Sequence, residues 1–170
     1  VAIEAARRLP DHPFTICGTG PLSSSLRKRA AGLPHVRFVG HLPRSQLFHL
    51  LSEARAIAVP SLWYENFPYA VLEAQAAGRA VVASRIGGIP EQVEHGIDGL
   101  LVEPGDPDAL AAALRRVLER PEEARALGAN GRERVHRDLG PDAHLQAILG
   151  HYRNVCGTGT KATIGLGASL

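Results

Sequence analysis

Five short apolar runs alternate with helix-forming segments along most of this chain, and that alternation leaves few folds open. Residues 14–17 (FTIC), 36–39 (VRFV), 56–59 (AIAV), 79–83 (RAVVA) and 100–102 (LLV) read as strands. Helical stretches ending near Ala31, Ala54 and Gly78 separate the first four. Strands divided by helices are parallel, because each return crosses over a face of the sheet. The expected fold class is therefore α/β, a parallel sheet flanked by helices. The last third differs. Residues 108–119, 122–135 and 142–151 have helical character without a strand signal, so extra C-terminal helices are expected. At the other end, Val1, Ile3, Ala6 and Leu9 fit a helix already under way, as in a fragment truncated at its N terminus. Residues 1–155 are read as one domain. Residues 156–170, which from Gly157 are mostly small and lack acids, are read as a disordered tail.

The stretch 60–78, P-S-L-W-Y-E-N-F-P-Y-A-V-L-E-A-Q-A-A-G, joins the third strand to its following helix. Pro60 closes the strand, since it cannot donate to a ladder. Pro68 suits the first helical position, and Gly78 a C-terminal stop. Such a loop lies beyond the carboxyl end of a strand, where open α/β sheets bind ligands. The free N–H groups of Tyr69 and Ala70 would favour an anion, ideally a phosphate. Glu73 is expected on a face shared with Ala70, Ala74 and Ala77, poorly placed for water and suited to hydroxyl donors. By spacing alone, Glu65 and Glu73 are as well explained as solvated surface acids. Trp63 and Tyr64 are open to two readings, an aromatic wall over a ligand or apolar anchors of the loop.

Pro60-Ser61, Glu65, Phe67, Leu72-Glu73-Ala74, Gly78, Val81-Val82-Ala83-Ser84, Gly87-Gly88, Glu91, Gly96, Gly99 and Pro104 together resemble the donor-site signature of glycosyltransferase family 4. The resemblance spans about residues 1–153. It implies a GT-B fold of two Rossmann-like domains, with this chain as the C-terminal, donor-binding half of a retaining transferase. The Glu pair of that family matches Glu65 and Glu73, so Glu65 is expected to be catalytic, positioning the sugar, and Glu73 to hold the ribose. Phe67, Tyr69 and Ala70 fall within the matching donor loop. Asn66 and Pro68 stand where many members have Gly, which weakens the case for backbone contacts there. The resemblance places the base near Leu42 and the Gly18–Gly20 turn near the donor. The family's basic clamp, an Arg and a Lys after the domain's first strand, has no counterpart; Arg7 and Arg8 do not match it. The partners implied are a nucleotide-diphosphate sugar and an acceptor domain of the same polypeptide. The competing class is a non-catalytic nucleotide-binding or interaction module with the same fold.

Composition narrows the rest. With 170 residues, 45% hydrophobic and 21% charged, the chain has the balance of an ordinary globular domain. A formal net charge of +2 makes no electrostatic case for nucleic acid. There is no run long enough to span a bilayer, so a cytoplasmic setting is expected, with membrane contact at most peripheral and through the missing half. Cys17 and Cys156 form no disulfide framework, and Cys17 is expected to be a buried core thiol. Asp106-Pro107-Asp108 resembles an Asp-x-Asp metal motif, but Asp106 before Pro107 and an Ala/Leu run reads better as a helix cap. The eight His show no metal-ligand spacing, so no metal and no cofactor are expected. A pyridoxal phosphate enzyme would need a well-placed Lys, and neither Lys28 nor Lys161 follows a suitable strand.

Overall fold

The computed structural model describes residues 1–156. The elements run α1 (Ala2–Arg7), β1 (Phe14–Cys17), α2 (Ser23–Arg29), β2 (Val36–Gly40), α3 (Arg44–Glu53), β3 (Ala56–Val59) and α4 (Tyr69–Ala76). They continue with β4 (Ala80–Ser84), α5 (Ile89–Gln92), β5 (Leu100–Val102), α6 (Pro107–Glu119), α7 (Pro121–Asp138) and α8 (Pro141–Cys156). The fold is α/β, and every strand pair is parallel. The residues read as a tail beyond Cys156 lie outside the described part.

The strands do not form one sheet. β1 pairs with β2, and β3, β4 and β5 form a second, three-stranded sheet with β4 in the middle. β4 is the centre of the second sheet. All five of its residues are buried, as expected of a parallel strand covered on both faces. Val82 and Leu100 pack on one side against Leu110, Leu114 and Val117 of α6, with Ala5 and Leu9 from around α1. Val81 and Ala83 pack on the other side against Val71 and Ala74 of α4, with Ile89 and Val93. Burying each such aliphatic side chain is worth about 1.5–3 kcal/mol, so this double-sided layer supplies most of the apolar core.

Helix α7 closes over α4 through a close backbone approach. A Cβ at Gly128 would lie 2.2 Å from the Gly78 carbonyl oxygen, so no larger residue fits there. α6 begins as its sequence dictates: one Asp106 carboxylate oxygen accepts from the N–H groups of Asp108 (2.8 Å) and Ala109 (2.9 Å). Asp108 in turn is paired with Arg8 at the end of α1. The cap reading of Asp106 holds in the geometry. α8 contributes no buried residue.

Candidate functional site

The candidate site is assembled along the carboxyl ends of the parallel strands. From β3, residues 60–68 form a loop that delivers the chain to α4. Pro68 is the N-cap of α4, one position earlier than the first helical position expected for it. Its ψ of 118° is extended, and its carbonyl accepts from the Val71 N–H at 3.2 Å. No side chain caps α4. Tyr69 and Ala70, at the positive end of the helix dipole, are both exposed to solvent.

Glu65 is half-buried, and its orientation is set by a residue that the sequence reading left without a role. The Ser61 hydroxyl, 8% exposed, donates to Glu65 Oε1 at 2.6 Å. A hydroxyl bonded to an ionised carboxylate is a strong anchor. It occupies one oxygen and leaves Oε2 for a ligand. The backbone around Glu65 is fixed as well. The Gly88 N–H donates to the Glu65 carbonyl at 2.7 Å. A Cβ at Gly88 would fall 1.8 Å from the Asn66 carbonyl oxygen, and one at Gly87 2.5 Å from that of Glu65. The turn after β4 thus lies directly on the loop after β3, and only glycine permits the contact. The Gly87-Gly88 pair is visible as a motif, but its partner is the loop at Glu65 and Asn66, 22 residues earlier in the chain, which no local pattern names.

Glu73 is half-buried in the middle of α4. Among the described residues no ion pair or side-chain hydrogen bond engages it. The alanine face expected around it is divided. Ala74 is buried, Ala77 is half-buried and Ala70 is exposed, so Glu73 sits at the edge of the core rather than among alanines. α4 packs against both β4 and α7, and these contacts cover one side of the helix and leave Ala70 outside. Asn66 is exposed, and Phe67 is 43% exposed. Trp63 and Tyr64 are 65% and 84% exposed. That overturns the reading of the two as apolar anchors, because anchors would be covered by the core.

The remaining predicted residues lie on the other sheet. Gly18 and Gly20 follow β1 and are exposed. Gly18 has a φ of 106° and donates its N–H to the Gly40 carbonyl at 2.7 Å, while the Gly20 N–H is tied to Ser23 Oγ at 2.9 Å. A Cβ at either would meet nothing within 4 Å, so this turn is open. Leu42 is half-buried after β2, beside an exposed His41. The structure therefore joins Ser61, Glu65, the α4 terminus and Gly87-Gly88 into one packed unit. It sets Gly18, Gly20 and Leu42 at the same strand ends of the neighbouring sheet. Two clefts elsewhere, around Asp98 and Arg134 and around Arg79 and Arg132, include none of these residues.

Cys17 corrects another expectation. It is exposed, not a core thiol, because β1 has a neighbour on one side alone. Partial burial still pushes its thiol above the ordinary value, opposed by the Arg37 charge. Among the described residues no cluster of His, Cys, Asp or Glu is placed to hold a metal ion, and no helix is long and apolar enough to cross a membrane.

Parallel strands with helices on both faces define a Rossmann-like domain. The chain belongs to the group 1 glycosyl transferases, whose family model matches residues 1–134. It is 41% identical over 146 residues to a glycogen synthase of Mycobacterium tuberculosis, covering 81% of this chain and 35% of that protein. It is 36% identical over 138 residues to a GDP-mannose-dependent alpha-(1-6)-phosphatidylinositol monomannoside mannosyltransferase of Mycolicibacterium smegmatis, covering 76% and 36%. The sucrose-phosphate synthase structure from Thermosynechococcus elongatus superposes with a TM-score of 0.75 at 32% identity, covering 91% of this chain and 42% of that one. The chain thus spans about a third to two fifths of the length of these three proteins.

Proposed function

We propose that this chain is the donor-binding half of a retaining GT-B glycosyltransferase of family 4, taking a sugar from a nucleotide-diphosphate donor. The observation that carries this reading is the uncapped α4 terminus flanked by Glu65 and Glu73 on a loop clamped by Gly87-Gly88. The dependence of the mannosyltransferase relative on GDP-mannose supports a nucleotide-sugar as the donor class.

In this reading the diphosphate sits at the N–H groups of Tyr69 and Ala70, where the helix dipole stabilises the charge that grows as the glycosidic bond breaks. Glu65, held by Ser61, accepts hydrogen bonds from the sugar hydroxyls and orients the anomeric carbon. Glu73 accepts from the ribose. The Gly18–Gly20 turn and the backbone at Leu42 border the nucleotide, and Asn66 and Phe67 border the sugar. Charge is neutralised by the helix terminus and by basic groups outside this chain, so neither metal nor cofactor is required. The acceptor, a glycan, lipid or other hydroxyl compound, is held by a separate N-terminal domain. The setting is cytoplasmic, peripheral to a membrane if the acceptor is a lipid. The domain alone binds donor without turnover, because positioning the acceptor contributes about 7–11 kcal/mol of barrier lowering that it lacks.

Titration of the domain with a panel of nucleotide-sugars tests this. A hydrogen bond to a charged acceptor contributes about 1.5–3 kcal/mol, so Glu73→Ala should weaken binding by about ten- to a hundredfold with the melting temperature retained. Identical curves for the two proteins would remove Glu73 from the site. Binding of other ligands, with no nucleotide-sugar bound at all, would favour the non-catalytic module.

A further inference from the structure

Two glutamines are buried where α4 meets α5: Gln75 of α4 is 0% exposed and Gln92, the last residue of α5, 2%. Gln75 Nε2 donates to the Gln92 backbone carbonyl at 2.9 Å, and Gln92 Nε2 donates to the Pro68 carbonyl at 3.5 Å. Both partners are carbonyl oxygens, so the nitrogen of each amide must face them. The amide oxygens are left over. Among the described residues neither Gln75 Oε1 nor Gln92 Oε1 has a hydrogen-bond partner.

A buried acceptor without a donor lowers stability, and an apolar side chain of similar length avoids that cost. Gln75 has an offsetting structural duty, because the carbonyl it bonds ends α5, where helix carbonyls lack partners. Gln92 has none of that kind. The Pro68 carbonyl already accepts from the Val71 N–H at 3.2 Å. Stability therefore does not account for an amide at Gln92.

Its position does. Gly88 donates its N–H to the Glu65 carbonyl at 2.7 Å, and Gln92 reaches Pro68, so one short segment grips residues 65–68 at both ends. Asn66 and Phe67 between them are exposed. The grip is anchored from behind. Arg134 of α7 donates from Nη2 to the Glu91 carbonyl at 2.6 Å and from Nη1 to the buried Asp98 carboxylate at 2.8 Å. The Pro68 carbonyl and the Tyr69 N–H belong to one peptide unit, which is trans. That unit is planar and its C=O and N–H point in opposite directions, so a bond on the oxygen fixes where the N–H is aimed.

We propose that Gln92 is a positioning residue of the donor site: its amide holds the Pro68–Tyr69 peptide unit so that the Tyr69 N–H is aimed at a diphosphate oxygen. This rests on the donor-binding reading and adds to it a residue that touches no ligand. Gln75 holds the end of α5 from which Gln92 acts.

The test compares the parent chain with Gln92→Met and Gln75→Met by NMR titration with uridine, guanosine, UDP and GDP. Melting temperature and exchange of the Val71 amide are read on the same proteins. Gln92→Met removes an unpaired oxygen and leaves the Pro68 carbonyl its bond from Val71, so the melting temperature should hold or rise. Affinity for the preferred diphosphate should fall by about fivefold, the effect of one hydrogen bond, while affinity for its nucleoside stays the same. The Val71 amide should exchange about threefold faster or more, as the first turn of α4 opens locally. Gln75→Met strips the end of α5 of its donor and should lower the melting temperature. A Gln92→Met protein that melts lower and loses nucleoside and diphosphate affinity equally would make Gln92 a packing residue and overturn the proposal. So would an unchanged Val71 rate with unchanged diphosphate affinity, which leaves the donor-binding reading standing. A parent chain that binds neither diphosphate would instead fail the donor-binding reading, and the role given to Gln92 with it.

Discussion

The β3–β4–β5 sheet and the β1–β2 pair come from the same kind of sequence, yet they differ in how far they are covered. In the first, β4 is covered on both faces and flanked on both edges. The loops it supports are held by backbone contacts too close for any side chain, at Gly87 and Gly88. In the second, no residue of β1 is buried, Cys17 is exposed, and the glycines that follow have open space around them. A glycine is therefore not one kind of signal. Gly88 is required by what lies against it; Gly20 has no such neighbour. The acidic part of the site rests on the rigid sheet, and the turns expected to border the nucleotide rest on the open one.

Adding one methyl group to each side breaks or confirms this contrast, and should give the largest effects. In Gly88→Ala the new Cβ meets the Asn66 carbonyl at 1.8 Å, and backbone cannot swing away as a side chain can. Overpacking costs about 1–3 kcal/mol, or about 2–4 °C of melting temperature per kcal/mol in a chain of this size. The displaced Glu65 loop should also lower nucleotide-sugar affinity by about tenfold or more. Gly20→Ala, with nothing within 4 Å, should leave the melting temperature within about 1 °C. Equal thermal shifts in the two variants, read by calorimetry, would end the distinction between a clamped half and an open one.

Much of the first half of this contrast could be read in the sequence. The strands β1, β3 and β5 begin and end where their apolar runs do, and α6 starts at the Asp106-Pro107 cap because capping is a local matter. What could not be read depends on non-local neighbours. FTIC has the pattern of a covered strand, but among the described residues β1 has β2 as its one strand neighbour, and none of its residues is buried. Ser61 looks like a loop serine, and its role appears when the turn places it at 2.6 Å from Glu65. Glu73 falls on the helix that its neighbours predict, but how far it faces the core depends on the packing of α4 against β4 and α7.

A smaller effect sharpens the comparison within the rigid half. Ser61→Ala removes the one hydroxyl that orients Glu65, while the Gly87-Gly88 contacts remain. Water can replace part of that bond at a half-buried carboxylate, so a loss of about 1 kcal/mol is expected, roughly fivefold in affinity. If Glu65 faces the sugar, the loss should appear with the nucleotide-sugar and not with the bare nucleotide diphosphate. Equal weakening of both would place Glu65 against the nucleotide instead.

The smallest expected effect on the site comes from Asp106, which belongs to the scaffold. One oxygen of its carboxylate, Oδ1, accepts from two N–H groups of α6, which ties the group to the start of that helix. Losing an Asp cap typically costs about 1 kcal/mol, so Asp106→Ala should lower the melting temperature by about 2–4 °C. Asn caps as well as Asp does, so Asp106→Asn should keep the stability while removing the charge that a cation would need. Neither substitution should alter nucleotide-sugar affinity, and for the parent chain affinity should be the same with a chelator as with added Mg²⁺ or Mn²⁺. A strong Mn²⁺ requirement that disappeared in Asp106→Asn would show that this residue serves the ligand rather than the helix, and the boundary between scaffold and site would have to be redrawn around α6.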